Sequence, residues 1–301
     1  MRIGLSGGGT SVDRIVEQAQ DAERDGFTSL WYASAVSGDP LVAMATAGRA
    51  TTTIELGTAV LQTYPCHPLL MANRAASVAS AMGRPGMTLG IGPSHAPVIE
   101  GLYGVGYARP GLHTEEYTRI LVSALRGEAV AFDGELITAH GTGRVSAPDT
   151  PIPVLLGALA PRLLRVAGEV ADGTVTWMAN ARAVAEHVSP RLRSAAGTRD
   201  TRIVVGLPVA VHDDVDEARA VAATQFAMYG ALPNYRRILD IGRVAGPADA
   251  VIVGDEKEVE RQITAVFDAG ATDLWAAPFV VGDRQASRAR TRALLASLAG
   301  S

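Results

Sequence analysis

Short apolar segments alternate with helical segments along the whole of this 301-residue sequence, and this alternation limits the possible folds more than any other feature. Strands are predicted at residues 2–6, 29–32, 54–61, 87–91, 153–156, 174–178, 203–211 and 272–277. Helical spacing lies between them, as at 113–125, where Tyr117, Leu121 and Leu125 recur every four residues. Strands separated by helices pair in parallel. Eight such units favour a (β/α)8 TIM barrel over an open doubly wound sheet.

Two stretches do not fit the alternation and are interpreted as insertions. Residues 130–151, after the fourth unit, are polar and weakly alternating, which is consistent with a hairpin outside the barrel. Residues 235–241, after the seventh strand, form an additional helical piece. No linker composition separates any part of the chain, so residues 1–301 are predicted to form a single domain.

Composition excludes several classes of partner. The formal charge of -4 argues against a nucleic-acid binder, which would normally present a basic face. No apolar run approaches the length of a membrane span. Cys66 is the only cysteine, so an intrachain disulfide is impossible, and a reducing compartment is favoured. We therefore expect a cytoplasmic protein that acts on a small molecule and binds neither nucleic acid nor membrane.

The chemistry of such barrels is located at the carboxyl ends of the strands. Here these ends carry few carboxylates, no lysine and no cluster of residues with metal-ligand spacing, which disfavours Schiff-base and metal chemistry. They are rich in glycine, small residues and aromatic side chains instead. That composition is suited to a large planar cofactor that supplies its own reactivity.

Six segments carry a resemblance to a known family: LGTAVLQTYPCHP, LGIGPSHAPVIEG, GALAPRLLRVAGEVADGTVTWM, VVGLPVAV, QFAMYGALPNY and VFDAGATDLWAAPF. In this order, over essentially the whole chain, they resemble the luciferase-like monooxygenase superfamily. More narrowly, they resemble its actinobacterial branch of oxidoreductases that depend on the deazaflavin coenzyme F420. The resemblance implies a barrel, usually a homodimer, that passes a hydride between C5 of the deazaflavin and an organic substrate.

The resemblance also implies the cofactor-binding residues. The family's non-prolyl cis peptide would fall between Ala59 and Val60. The segment of Gly92, Pro93 and Ser94 would line the ring and the ribityl chain. Backbone amides in the loop after the fifth strand would hold the phosphate; the residues of that loop are Gly157, Ala158, Leu159, Ala160 and Pro161. Thr176 and Trp177 would close the pocket. Apart from the resemblance, the position of Arg162 at the helix N-terminus beside this loop predicts a partner for an anionic cofactor, and the alternative is a solvated arginine.

One departure from the family concerns the catalytic group. Many relatives end the second strand with an acidic residue and a histidine, whereas this chain has Ala33, Ser34 and Ala35 there. His95 is then the candidate catalytic residue, with Tyr64 and His67 as candidates for the substrate pocket, and protonation by solvent is the alternative. His95 could also be an ordinary surface-loop histidine, and His67 could simply open the third helix.

Three functions are compatible with these residues. The first is an F420-dependent oxidoreductase. The second is an FMN-dependent monooxygenase of the same fold, supplied with reduced flavin by a separate reductase. The third is a barrel that binds flavin or deazaflavin as a carrier without turnover, an alternative kept open by the missing acid and histidine after the second strand.

Overall fold

The computed structural model describes residues 1–9, 11–33, 38–141 and 150–300. Its strands are β1 Ile3–Gly7, β2 Ser29–Tyr32, β3 Glu55–Thr58, β4 Leu61–Gln62, β5 Met87–Gly92, β6 Val130–Asp133, β7 Thr138–Gly141, β8 Val154–Gly157, β9 Gly173–Trp177, β10 Arg202–Val211, β11 Ile252–Gly254 and β12 Asp273–Pro278. Its α-helices are α1 Val12–Arg24, α2 Pro40–Arg49, α3 Pro68–Met82, α4 Ala96–Ile99, α5 Pro110–Leu125, α6 Pro161–Glu169, α7 Ala181–Ala183, α8 Ser189–Ala196, α9 Val215–Gln225, α10 Ala227–Ala231, α11 Pro233–Ile241, α12 Pro247–Ala250, α13 Glu256–Asp268 and α14 Arg284–Ala299. A π-helical turn, Val184–Val188, joins α7 to α8.

Eight parallel strands close into a ring, which confirms the predicted barrel. The order around the ring is β1, β2, β3, β5, β8, β9, β10 and β12, and β12 pairs again with β1. The predicted insertions are also present. After the fourth barrel strand, β6 and β7 form an antiparallel hairpin, and after the seventh, α9 to α12 precede β11, which extends the edge of β10.

Helix α1 illustrates how local sequence sets the elements. Ser11 is its N-cap, and the Ser11 hydroxyl accepts a hydrogen bond from the backbone N–H of Arg14. Ile15, Ala19 and Ala22 are buried along one face at helical spacing. This face packs on the outside of the barrel, so the helices form an outer layer around the ring.

The barrel interior is filled by large apolar side chains from several strands: Trp31, Leu155, Val175, Val204 and Trp275. Below them, at the amino ends of the strands, the Arg202 guanidinium is held between the carboxylates of Asp273 and Glu55. Packing and ion pairing therefore close the lower part of the barrel, and the opposite end is left for a site.

Three details differ from the sequence prediction. The third strand is shorter than residues 54–61, because the extended segment is interrupted after Thr58 and resumes as β4. Helix α5 begins at Pro110 rather than at residue 113 as predicted, since proline is favoured at a first helical turn. Strand β11 was missed, because its three residues lie within an insertion and carry too short an apolar run to be recognised.

Candidate active site

A cleft opens at the carboxyl ends of β5, β8, β9 and β12. It brings together most of the residues proposed from the sequence: Ala59, Val60, Gly92, Pro93, Ser94, His95, Gly157, Ala158, Leu159, Ala160, Thr176 and Trp177. It also contains residues that sequence reasoning missed: Leu163, Val175, Asn234, Tyr235 and Trp275. None of these lining residues is Asp, Glu, Lys or Arg, so the described wall of the cleft is largely apolar.

One side of the cleft is flat because glycine replaces side chains there. The peptide bond between Ala59 and Val60 is cis, as predicted. The Val60 side chain lies against two strand ends: a Cβ on Gly92 would be 3.0 Å from Val60 Cγ2, and one on Gly157 would be 3.4 Å from the Val60 methyls. Both positions therefore leave a smooth surface beside Val60, which suits a planar ligand.

Three buried polar atoms of the cleft lack a hydrogen-bond partner within the described protein. They are the hydroxyl of Thr176 and the indole N–H groups of Trp177 and Trp275. Thr176 is only 2% exposed and Trp275 only 7%. An unsatisfied buried polar group is costly, so each is a position where a ligand atom would gain a hydrogen bond. An aromatic heterocycle with polar edge atoms would meet this requirement.

Backbone donors are available on a second side of the cleft. The loop of residues 157–160 leads into α6, whose N-cap residue, Ala160, has no side chain able to cap the helix. Pro161 occupies the first position, where its missing N–H has no consequence. The first-turn amides and the positive end of the helix dipole are thus free for an anion, as in many phosphate sites.

His95 lies in the loop after β5 and meets the insertion after the seventh barrel strand. Its ring is 5.4 Å from that of Tyr235, centroid to centroid. The loop that carries it is fixed by Tyr107, whose hydroxyl donates to the carbonyl of Ser94 at 2.7 Å. Burial lowers the pKa of His95 below its ordinary value, so the neutral imidazole predominates near pH 7. A neutral ring can accept or donate one proton at the mouth of the cleft.

Four of the proposed residues are not cleft-lining. Pro161 only begins α6, and Arg162 is engaged by Glu115, with Nε and Oε2 2.9 Å apart. Tyr64 and His67 line a separate cavity beside α5 and β7. The Tyr64 ring stacks on His113 at 3.9 Å, and His67 is the N-cap of α3, as its alternative interpretation foresaw. The structure therefore gives geometric support to neither the anion-pairing role of Arg162 nor the substrate-pocket role of Tyr64 and His67.

At the end of the second strand, where many relatives have an acidic residue and a histidine, this chain has Ala33, Ser34 and Ala35. Ala33 is described, whereas Ser34 and Ala35 lie outside the described residues.

Over the described ranges, no group of His, Cys, Asp and Glu side chains could hold a metal ion. In the same ranges, no helix has the length and apolar character needed to cross a bilayer.

These features define a class: a parallel barrel with a largely uncharged cleft for a flat organic ligand at the carboxyl ends of its strands. The family model of luciferase-like monooxygenases matches residues 2–300. The chain belongs to the luciferase-like monooxygenase family.

Particular relatives are similar over most of their length. The F420-dependent glucose-6-phosphate dehydrogenase of Beutenbergia cavernae is 30% identical over 249 residues, which cover 79% of this chain and 67% of that protein. Among solved structures, an F420-dependent secondary alcohol dehydrogenase superposes with a TM-score of 0.73 at 19% identity, covering 92% of this chain and 93% of the other. The oxygenating constituent of 3,6-diketocamphane monooxygenase from Pseudomonas putida, in complex with FMN, superposes with a TM-score of 0.74 at 17% identity, covering 98% of this chain and 97% of the other. At these identities the two structures support the fold alone.

Proposed function

We propose that this protein is an F420-dependent oxidoreductase that transfers a hydride between C5 of the deazaflavin and an organic substrate. The observation that carries the proposal is the composition of the cleft. One part of its wall is flat because Gly92 and Gly157 have no side chains, and the cleft also contains buried polar groups without a partner and the uncapped amides at the start of α6. The 30% identical relative, which is named as F420-dependent, favours the deazaflavin over other planar cofactors.

The residues of the cleft would divide the binding between them. Val60, Gly92 and Gly157 would support one face of the ring, because no side chain projects from the two glycines. Trp275 and Thr176 would meet polar atoms at the ring edge. The amides at the start of α6 would receive the phosphate. Bound F420 supplies the hydride chemistry, so the protein's part is to orient the ring and exclude water from its reacting face.

His95 is the side chain best placed to handle a proton. It lines the cleft, is neutral near pH 7 because burial lowers its pKa, and is one of the few titratable side chains of the described wall. We assign it the role of general acid or base toward the substrate. Loss of turnover in His95→Asn, with cofactor binding retained, would support this role, whereas unchanged turnover would leave solvent as the proton source.

Titration of the purified protein with F420 and with FMN tests the assignment of the cofactor. The deazaflavin is fluorescent, so binding is followed by quenching. We expect saturable binding of F420 and weak or no binding of FMN. Tight FMN binding with no F420 binding would overturn the proposal.

A specific observation also favours FMN chemistry as a second candidate. The fold matches that of an oxygenating monooxygenase solved with FMN, and a flat apolar cleft accepts either ring. Oxygen consumption with reduced FMN and a candidate substrate distinguishes the two, because a deazaflavin hydride transfer consumes no oxygen.

A carrier without turnover is the third candidate. It is favoured by the small number of titratable groups in the described cleft, where His95 and Tyr235 stand alone. A single-turnover experiment separates it from an enzyme: bound F420 is mixed with a panel of alcohols, and its reduction is followed by absorbance. Reduction by any member of the panel excludes a pure carrier.

Two further properties are part of the proposal. Residues 1–301 would form one domain, since one large apolar cluster connects the barrel strands with the outer helices. The chain would form a homodimer, for which Val42 on α2 and Leu70 on α3 are suitable contacts, being 58% and 54% exposed. Sedimentation velocity gives the oligomeric state directly, and a monomer at micromolar concentration would exclude the dimer.

A further inference from the structure

His187 lies outside the cleft but is bonded to a loop that forms it. The imidazole is 4% exposed, and its Nε2 is 2.8 Å from the backbone carbonyl of Leu159. A carbonyl oxygen only accepts hydrogen bonds, so Nε2 must carry the proton and donate it. Leu159 belongs to the loop between β8 and α6 that lines the cleft. A buried side chain of the sixth βα unit thus fixes the backbone of the fifth.

The planarity of the peptide bond gives this contact a consequence for the cleft. The carbonyl of Leu159 and the N–H of Ala160 belong to one trans peptide and point in opposite directions. With the carbonyl held toward His187, the N–H of Ala160 points away from His187, and Leu159 and Ala160 both line the cleft. The opposite orientation would aim a carbonyl oxygen at the anion that the helix terminus attracts.

The position of His187 depends on an irregular helix. The turn Val184–Val188 is π-helical, and the N–H of Ser189 bonds to the carbonyl of Val184, five residues back. Pro190 follows; it has no N–H for the carbonyl of Glu186, four residues back, and its ring is incompatible with a regular helix there. The wider π-helical turn allows the helix to accommodate Pro190. Single π turns of this kind often coincide with functional positions.

We propose that His187 is a positioning residue that orients the 157–160 loop so that its amides bind the phosphate of the cofactor. The inference rests on the proposed function, because it presupposes a phosphate-bearing cofactor in this cleft. His187 would touch neither cofactor nor substrate. Its effect would therefore be confined to the phosphate end of the ligand and would not extend to the ring.

A comparison of two ligands in two variants tests this inference. The ligands are F420 and the ribityl deazaflavin, which has the same ring and ribityl chain but no phosphate, and dissociation constants are measured by fluorescence quenching. His187→Leu removes the donor, and we expect it to weaken F420 about tenfold, the equivalent of one lost charge-assisted hydrogen bond. The dissociation constant of the ribityl deazaflavin should be unchanged. His187→Gln keeps a donor at a similar reach and should retain most of the F420 affinity.

Several outcomes would overturn the inference. Equal weakening of both ligands in His187→Leu would show a general structural role, and no weakening of either would show no role at all. His140, which is exposed and paired with Asp133, provides the matched control, because His140→Leu should change neither constant. If His187→Leu does not fold, His187→Asn, whose shorter amide does not reach Leu159, carries the same comparison.

The wild-type protein separates a failure of this inference from a failure of the proposed function. If it binds FMN instead of F420, the deazaflavin assignment is wrong. The same comparison is then made with FMN and riboflavin, which also differ by the phosphate. A selective loss of FMN in His187→Leu would still support the positioning role. A wild-type protein that binds none of these ligands would overturn both.

Discussion

The ring of His95 lies 5.4 Å from that of Tyr235, with an angle of 49° between the ring planes. The two residues are far apart in the sequence: His95 follows the fourth barrel strand, and Tyr235 lies near the start of α11, in the insertion after the seventh. The contact joins the insertion to the candidate proton-transfer group. The insertion therefore contributes Tyr235 to the surroundings of that group.

Truncation of Tyr235 should raise the pKa of His95. Burial is the cause of the lowered pKa, so Tyr235→Ala, which exposes the imidazole, should move it up toward its ordinary value near 6.5. Tyr235→Phe keeps the ring and should leave it unchanged. NMR titration of the His95 ring protons measures both. An unchanged pKa in Tyr235→Ala would show that Tyr235 contributes nothing to the burial of His95.

Alanine at position 92 should weaken cofactor binding. Its Cβ would lie 3.0 Å from Val60 Cγ2, so the Val60 side chain, which we propose supports the ring, must move. Overpacking of this size costs about 1 to 3 kcal/mol, and we expect the dissociation constant of F420 to rise by about fivefold or more.

Two variants accompany Gly92→Ala in the same fluorescence titration. Gly106→Ala is the control, because no heavy atom lies within 4 Å of that Cβ. The double variant Gly92→Ala, Val60→Ala relieves the contact and should recover part of the loss. If it binds no better than the single variant, the contact with Val60 is not the reason for the effect.

Pro190→Ala should act on the cofactor from a distance. The variant restores an N–H that can bond to the carbonyl of Glu186, which allows the π turn to contract to a regular turn. Removing one residue from a turn rotates His187 by about 100° and takes it away from Leu159. We expect the affinity for F420 to fall and that for the ribityl deazaflavin to be unchanged, the same result that is expected of His187→Leu. Pro247→Ala, at the first turn of α12, should have no such effect, and selectivity retained in Pro190→Ala would exclude the π turn as the cause.

Much of the cleft lining was predictable because it lies at strand ends. Gly92 and Gly157 end apolar runs, and parallel strands place such ends on one face of a barrel. Trp275 was missed, although it precedes the predicted end of the last strand by two residues, and the alternation of side chains along that strand would have placed it on the interior face.

Other parts of the site depend on contacts that no local pattern records. Tyr235 reaches the cleft only because the insertion folds back over the barrel. Arg162 was a candidate for the phosphate, but its partner, Glu115, is 47 residues earlier in the chain and holds the guanidinium outside the cleft. His187 carries no sequence signal, since its role depends on a bond to a backbone carbonyl 28 residues away.

Arg202 should be important for stability rather than for activity. Its Nη2 is 2.7 Å from Asp273 Oδ1, and its Nη1 is 2.8 Å from Glu55 Oε1, at the end of the barrel away from the cleft. The Asp273 side chain is only 1% exposed. Burial alone would raise the pKa of Asp273, but the bond and charge of Arg202 outweigh it and hold the pKa below the ordinary value.

Arg202→Met should therefore lower the free energy of unfolding by about 3 kcal/mol, because it leaves a buried carboxylate without its main partner. Arg202→Lys keeps the charge but cannot bond to both carboxylates in the same geometry, so it should lower the free energy of unfolding by less than Arg202→Met does. Urea unfolding measures both, and the deficit of Arg202→Met should shrink in acid, where protonation of Asp273 removes the unbalanced charge. A full loss that persists in acid would indicate packing as the cause.

Glu23 should give the fold a separate dependence on pH. Its carboxylate accepts hydrogen bonds from the backbone amides of Thr52, Thr53 and Ile54, which fixes the segment before β3 to α1. Burial opposes ionisation, but the three amides outweigh it and lower the pKa of Glu23 from 4.5 to about 2. A carboxyl whose pKa is lower in the folded state stabilises the fold above its unfolded pKa, and this contribution is lost as the pH falls toward the folded pKa.

The difference between wild type and Glu23→Gln isolates this contribution from those of other carboxylates. We expect the variant to be less stable by about 1 kcal/mol near neutral pH, a modest value because the site is partly open to solvent. The difference should decline between pH 4.5 and about 2, the window set by the two pKa values. Glu17→Gln, on the same helix and in an exposed pair with Arg14, is the matched control and should show little difference at any pH. Urea unfolding across this pH range measures the difference. Only the charged form of Glu23 gains from the three amides, so the difference must depend on pH if the charge is the cause. A difference that does not change with pH would show that the three amides recognise the shape of the side chain and not its charge.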